Sequence, residues 1–178
     1  YTVYAVAYGL AALVGTSVFL QLKEWPILLA SLLADIAATF VIFAFSRAYN
    51  NSSLYDPYWS VAPLALCLAF FYDAQLEFTS LLLPFIVSFG LLNLWSHRLT
   101  FNFFRAFQGL GTEDFRYTEL RRQNGRLYWL VSLFGIHLFP TLLTWASSLP
   151  LWALTQRETL QEPWLFWLGA FGALAAVY

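Results

Sequence analysis

Long apolar runs separated by short polar interruptions set the pattern of the chain. Residues 1–22 carry no charged side chain, and a membrane-crossing helix needs about 20 predominantly apolar residues, so this run predicts a first span. Lys23, Glu24, Trp25 and Pro26 predict a tight turn, with Trp25 suited to an interface and Pro26 to a helix start. Residues 27–46 predict a second helix, interrupted only by Asp35 near its middle. The stretch 47–60, RAYNNSSLYDPYWS, predicts a loop, because Asn-Asn-Ser-Ser and Asp-Pro are turn chemistry. Further helices are expected over 57–72 and 78–95, joined by a turn at 73–77. A fifth is expected over 127–154 with a kink at Pro140, then a turn over 155–162 and a sixth helix from 163 to 178. The expected fold is an all-α, polytopic transmembrane bundle of six spans, forming a single domain over residues 1–178.

The segment Ser96 to Arg126 departs from this pattern, holding six of the nine Lys and Arg residues. Arg98, Asn102 and Arg105 fall at helical spacing, while Leu99, Phe103 and Ala106 take another face, so the fourth helix should run on to about Phe107. Its polar face is expected to turn inward, toward the loop at 47–60. Gly109 and Gly111 should break it, and Thr112 is placed to cap a second short helix with Glu113 and Asp114 in its first turn and Arg121 and Arg122 in its last. Asn124 and Gly125 should end that helix.

Composition agrees with a membrane protein. The chain is 60% hydrophobic and 11% charged, where soluble domains run at roughly 45 to 50% and about 25%. It contains no Met and opens and closes inside apolar runs, so sequence is expected to be missing at both ends. Cys67 is a lone cysteine and supplies no internal disulfide. With six spans, loops two and four share one side and carry seven basic residues, against two for loops one and five. The positive-inside rule then places 96–126 in the cytoplasm together with loop two. A bacterial source would make this the plasma membrane, and a eukaryotic one the endoplasmic reticulum.

Candidate chemistry is concentrated in few residues. A carboxylate in mid-span costs about 2.5 to 3.5 kcal/mol on insertion, so Asp35 should face the bundle interior, either orienting a substrate or joining helices through a Ser or Thr hydrogen bond. Asp56, Tyr58 and Trp59 cluster at a helix entrance, where they either polarise a carbonyl and stack a flat ligand or serve as helix-start and interface residues. The arginines of loop four suit planar phosphate or carboxylate recognition, with anionic lipid headgroups as the competing partner. His137 has no second ligand at metal spacing and reads as a helix-to-helix hydrogen bond. No glycine-rich phosphate loop, H-E-x-x-H motif or Cys pair is present, and neither metal nor nucleic acid is expected as a partner.

DPYWSVAP at 56–63, RLTFNFFRAFQGLGTEDFRY at 98–117 and LRRQNG at 120–125 carry a resemblance. Together they resemble the uncharacterised multipass branch of the steroid 5α-reductase-like superfamily, the block 98–117 being the most specific part. The resemblance implies an NADPH-dependent reductase of a carbon–carbon double bond conjugated to a carbonyl, in a lipid-like or sterol-like substrate reached from the bilayer. His97 and Arg98 resemble the His-Arg pair of the characterised reductases, whose Arg helps to bind cofactor. Those enzymes place a carbonyl-polarising Tyr three residues earlier, where this chain has Trp95. Most cofactor contacts of the group belong to a later half with a signature resembling S-R-H-P-N-Y-x-G-E, which is not found in this chain. The assignment that follows makes Asp56 and Tyr58 the catalytic candidates. Arg98, Asn102, Arg105, Asp114, Arg116 and Tyr117 are the cofactor candidates, with Asp35, Trp59 and Trp95 on the substrate side. An isoprenylcysteine-type methyltransferase using S-adenosylmethionine and a non-enzymatic lipid-binding or transport protein share the same architecture and stand as alternatives. In full-length protein carrying Cys67→Ala, a Gln108→Cys residue is expected to resist a membrane-impermeant maleimide added to intact cells; rapid labelling would reverse the orientation.

Overall fold

A computed structural model describes residues 1–74, 82–156 and 163–177, and the described residues form helices without a strand. In chain order these are α1 (Thr2–Gln21), α2 (Ile27–Ala48), a 3-10 turn (Ser52–Tyr55), α3 (Tyr58–Ala74), α4 (Leu82–Ala106) and α5 (Phe115–Asn124). A second 3-10 turn (Gly125–Leu127) leads into α6 (Tyr128–Val131), a π-helical segment (Ser132–Leu138), α7 (Phe139–Thr155) and α8 (Pro163–Val177). Four stretches are long and apolar enough to cross a membrane: Thr2–Gln21, Ile27–Ala48, Ser52–Ala74 and Phe115–Thr155. The all-helical expectation holds. The count of six spans is not reached by this measure, because α4 carries polar residues along its second half and α8 has 15 residues.

Small side chains bring α1 against α2. Ala7, Ala11, Ala38 and Ile42 form one buried cluster with Tyr55, Tyr58 and Ala62. A Cβ on Gly15 would lie 3.3 Å from the Ala34 carbonyl oxygen and 3.3 Å from the Ala38 Cβ. Such close backbone approach is the usual route to helix association where lipid is as apolar as the side chains.

Hydroxyl and ring groups fasten the long helix α6–α7 to α2. His137 Nε2 lies 3.1 Å from Ser46 Oγ, and Trp145 Nε1 donates to Ser31 Oγ at 3.1 Å. Between them Thr141 Oγ1 lies 2.7 Å from Thr39 Oγ1 and 2.7 Å from the Tyr55 hydroxyl. Thr141 donates to the His137 carbonyl at 2.9 Å, so the other two hydroxyls donate to it. Residues 137, 141 and 145 recur every four positions and therefore share one helix face. His137 is thus the interhelical hydrogen bond expected of it. The irregularity expected at Pro140 falls one turn earlier, in the π-helical segment, where His137 Nδ1 donates to the Ser132 carbonyl at 2.9 Å. The widened turn accommodates a proline that has no N–H and would press on the preceding carbonyls of a regular helix.

Other boundaries follow the hydrophobic pattern, with differences that have local causes. Pro26 precedes α2 as expected, and α4 runs unbroken to Ala106. Gly109 (φ 111°) stands after α4, and Gly125 (φ 48°) ends α5. The cap of α5 is Asp114, which accepts from Arg116 N–H, and not Thr112, whose carbonyl is drawn to Asn51. The expected turn at 73–77, the start of the fourth helix at 78, most of the turn at 155–162 and Tyr178 lie wholly or partly outside the described residues. Replacing Gly15→Leu should wedge α1 from α2 and destabilise the protein by about 1 to 3 kcal/mol, read as a lowered thermal midpoint in detergent; an unchanged midpoint would show that this contact carries little of the packing.

Candidate functional site

The loop expected at 47–60 is an inward-folded cap. Asn50 takes φ 53°, a left-handed conformation that Asn tolerates, and the chain turns under α5 so that Asn51 to Tyr55 are all buried. Buried backbone needs partners, and side chains supply them. Asn51 Nδ2 donates to the carbonyls of Leu110 (2.9 Å) and Thr112 (3.0 Å), and its Oδ1 accepts from Ser53 N–H (2.8 Å). Two phenols from α1 cap the other side: Tyr4 donates to the Ser53 carbonyl (3.3 Å) and Tyr8 to the Leu54 carbonyl (3.1 Å).

Glu113 is the hub of the cap. Its Oε1 accepts from Ser52 N–H at 2.6 Å and from the Tyr128 hydroxyl at 3.2 Å. Arg121 grips the same carboxylate at 3.0 and 3.1 Å, reaches Asn50 Oδ1 at 2.8 Å and lies 3.9 Å from the Tyr128 ring centroid. Ser52 Oγ adds contacts to Tyr128 (2.6 Å) and Ser132 (2.9 Å), joining the cap to the long helix. Asp114 N–H donates to Ser53 Oγ at 2.9 Å, and Arg116 clasps the Asp114 carboxylate with two hydrogen bonds of 2.9 Å. That guanidinium holds the Asp114 carboxyl below its ordinary range.

Loops two and four therefore meet, as the topology argument anticipated. The cofactor candidates among them are differently employed. Asp114 and Arg116 satisfy each other, and Tyr117 donates to Asp56 Oδ1 at 2.6 Å. Arg98, Asn102 and Arg105 are exposed on one face of α4, and among the described residues the two arginines make no hydrogen bond or ion pair. The inward face expected of them is aromatic instead. Phe103, Phe104 and Phe107 surround Tyr4 with ring centroids 5.2 to 5.6 Å apart, and Thr100 meets Ser60 at 2.9 Å. Aromatic burial decides the helix rotation, because turning an arginine inward would strand a charge. Arg98, Asn102 and Arg105, with two unpaired guanidiniums, suit the anionic end of a phosphate-bearing cofactor; Arg116 and Arg121 are already neutralised.

Below the cap lies the second half of the site. A cavity of about 390 Å³ opens between α1, α2 and α3, its largely apolar wall including small residues such as Ala11, Ala34 and Ala65. Asp35 and Tyr58 are on its wall, with the Tyr58 hydroxyl donating to Asp35 Oδ1 at 2.6 Å and to the Asp35 carbonyl at 3.1 Å. Leu20, Leu68 and Tyr72 line the cavity and are about half or more exposed, so it opens to the surface of the protein. Asp56, two residues before Tyr58, belongs to the cap and not to this wall. Trp59 is half-exposed, and Trp95 borders a separate cavity between α3, α4, α7 and α8. His97 stays within its own helix, Nδ1 lying 2.8 Å from the Asn93 carbonyl oxygen.

Sequence reasoning missed Ser52, Ser53 and Tyr128. The available signal was the uncharged Asn50–Ser53 run, rich in short hydrogen-bonding side chains yet followed by the apolar Leu54 and Tyr55.

The fold and site define a helical protein with four segments fit to cross a membrane and a polar cap beside an open, largely apolar cavity. The chain belongs to the DUF1295 family, described as a protein of unknown function, whose match covers residues 42–177. That family is part of the steroid 5-alpha-reductase-like group. An uncharacterized protein of Schizosaccharomyces pombe is 33% identical over 128 residues, covering 70% of this chain and 36% of the relative. The chain thus spans about a third of that relative's length. No solved structure matches it.

Glu113→Ala should strip Arg121 and Ser52 of their shared partner and cost about 1.5 to 3 kcal/mol, with faster amide exchange in α5. Glu119→Ala, which breaks only exposed contacts with Arg122 and Gln123, should leave the thermal midpoint unchanged. Equal effects of the two would remove Glu113 from its role as hub.

Proposed function

We propose that this chain forms the lipid-facing part of a membrane-embedded, NADPH-dependent reductase acting on a conjugated carbon–carbon double bond of a lipid-like or sterol-like substrate. The observation that carries the reading is the Asp35–Tyr58 pair, a phenol hydrogen-bonded to a carboxyl on the wall of a largely apolar cavity open to the surface. Membership of the steroid 5-alpha-reductase-like group supports it. Such a cavity admits an apolar body while a few polar groups fix its orientation.

In this reading Tyr58 is the catalytic residue. Its hydroxyl, turning from Asp35 to a substrate carbonyl, would draw electron density from the conjugated double bond, and Asp35 keeps the phenol within reach. NADPH, when bound, supplies the hydride. Arg98, Asn102 and Arg105 would hold its anionic end, being the exposed donors of one helix face, while Asp56, Asp114, Arg116 and Tyr117 position the cap. α4 and α8 complete six crossings, and the segment 96–126 faces the cytoplasm, where NADPH is available.

Titration of purified full-length protein tests the proposal. Wild type should bind NADPH, and Arg98→Ala or Arg105→Ala should weaken binding roughly ten- to a hundredfold, the worth of one charge-assisted contact. Arg116→Ala should have a smaller effect, since Asp114 already occupies that guanidinium. Binding of S-adenosylmethionine in place of NADPH would favour a methyltransferase, and binding of neither would favour a lipid-binding protein without redox chemistry.

A further inference from the structure

We propose, on the reading in which Tyr58 faces the substrate carbonyl, that Tyr8 and Val61 form an end wall restricting the cavity between α1, α2 and α3 to lipids whose carbonyl lies close to one end of the molecule. The cavity is elongated. Its walls run from Tyr8 to Leu20 along α1 and from Tyr58 to Tyr72 along α3, about 18 Å and about 21 Å of helix. The two helices lie side by side over this length, since the Tyr8 and Tyr58 rings are 6.3 Å apart and the Phe19 and Tyr72 rings 6.4 Å. Tyr58 therefore stands at one end of the cavity, and the exposed Leu20, Leu68 and Tyr72 lie toward the other.

What closes the Tyr58 end is visible from its far side. Tyr8 and Val61 also line a second cavity, of about 330 Å³, between α1, α3 and α4, with Tyr4, Thr100 and Phe104 among its other walls. Along α1 this second cavity takes Tyr1 to Tyr8 and the first takes Tyr8 to Leu20, so the two spaces lie end to end with Tyr8 and Val61 at their division. Tyr8 is held in place there. Its hydroxyl donates to the Leu54 carbonyl at 3.1 Å, and its ring lies 6.3 Å from those of Tyr4 and Tyr58. Swinging it aside would cost the buried Leu54 carbonyl its phenol. Val61, three residues after Tyr58, contributes from α3. A carbonyl at Tyr58 consequently has room for a long apolar body toward Leu20 and Tyr72, and for only a short group toward the cap. Beyond the wall the hydroxyls of Tyr4 and Thr100 are engaged with the Ser53 carbonyl and Ser60 Oγ, so the second cavity, once joined to the first, would take an apolar extension.

The test uses full-length protein in lipid nanodiscs without NADPH, so that its outcome is separate from that of the cofactor titration. The probes are tritium-labelled hexadecan-2-one and hexadecan-8-one, isomers of one composition that differ in how far the carbonyl lies from the chain end. Wild type should bind the 2-one about tenfold more tightly than the 8-one, the scale on which an apolar pocket rejects excess methylenes. Tyr8→Ala and Val61→Ala open the wall from different helices, and each should raise the affinity for the 8-one while leaving the 2-one little changed. Tyr8→Phe keeps the ring and should keep the wild-type preference. Tyr58→Phe should weaken the 2-one, which reports on the carbonyl contact and not on the wall. Should Tyr8→Ala not fold, Val61→Ala and the wild-type ratio still decide. Equal binding of the isomers by wild type, or an unchanged ratio in the wall variants, would overturn the end wall; if Tyr58→Phe still weakens the 2-one, the carbonyl reading survives that result. Binding of neither ketone, or indifference to Tyr58→Phe, would overturn both.

Discussion

The short segment Asn51 to Tyr55, which is not α-helical, is buried between helices, and the rest of the structure answers to that constraint. Buried backbone outside a regular α-helix survives only where other groups satisfy its N–H and C=O. Here the satisfaction comes from every direction. Tyr4 and Tyr8 reach across from α1, Glu113 descends from the segment before α5, and Ser53 receives the Asp114 N–H. Each of these groups is itself placed by a longer-range contact, so the cap and the bundle order one another.

The charges in the polar insert fall into two populations. Arg116 and Arg121 spend their donors on Asp114 and Glu113, and their planar geometry serves internal recognition. Among the described residues Arg98 and Arg105 have no such partner, and they lie on the exposed face of α4. Sequence places all of them in one basic stretch. Three-dimensional pairing separates the cations that build the fold from those available to something outside it.

The helical fold was legible because its signal is simple: uninterrupted apolar runs, Pro26 at a helix start, Gly125 at a helix end. The meeting of the two polar loops followed from topology alone. The partners within it did not, since Glu113 binds Ser52 across 61 positions and no local spacing encodes that distance. The rotation of α4 was misread for a related reason. A polar face at helical spacing looks like a site, but the neighbouring phenylalanines find Tyr1 and Tyr4 on a helix a hundred residues away, and their burial decides the rotation. Asp35 could be placed in the interior from its cost in lipid; its pairing with Tyr58 needed the crossing of α2 and α3.

Asp56 and Tyr58 are separated by Pro57 alone, one bound upward to Tyr117 in the cap and the other inward to Asp35 in the cavity. Proline fixes one backbone torsion and restricts the residue before it, so the two side chains are joined by a stiff spacer and not by a hinge. The spacer ties the two placements together: the backbone direction that lets Asp56 meet Tyr117 also sets where Tyr58 leaves the chain toward Asp35.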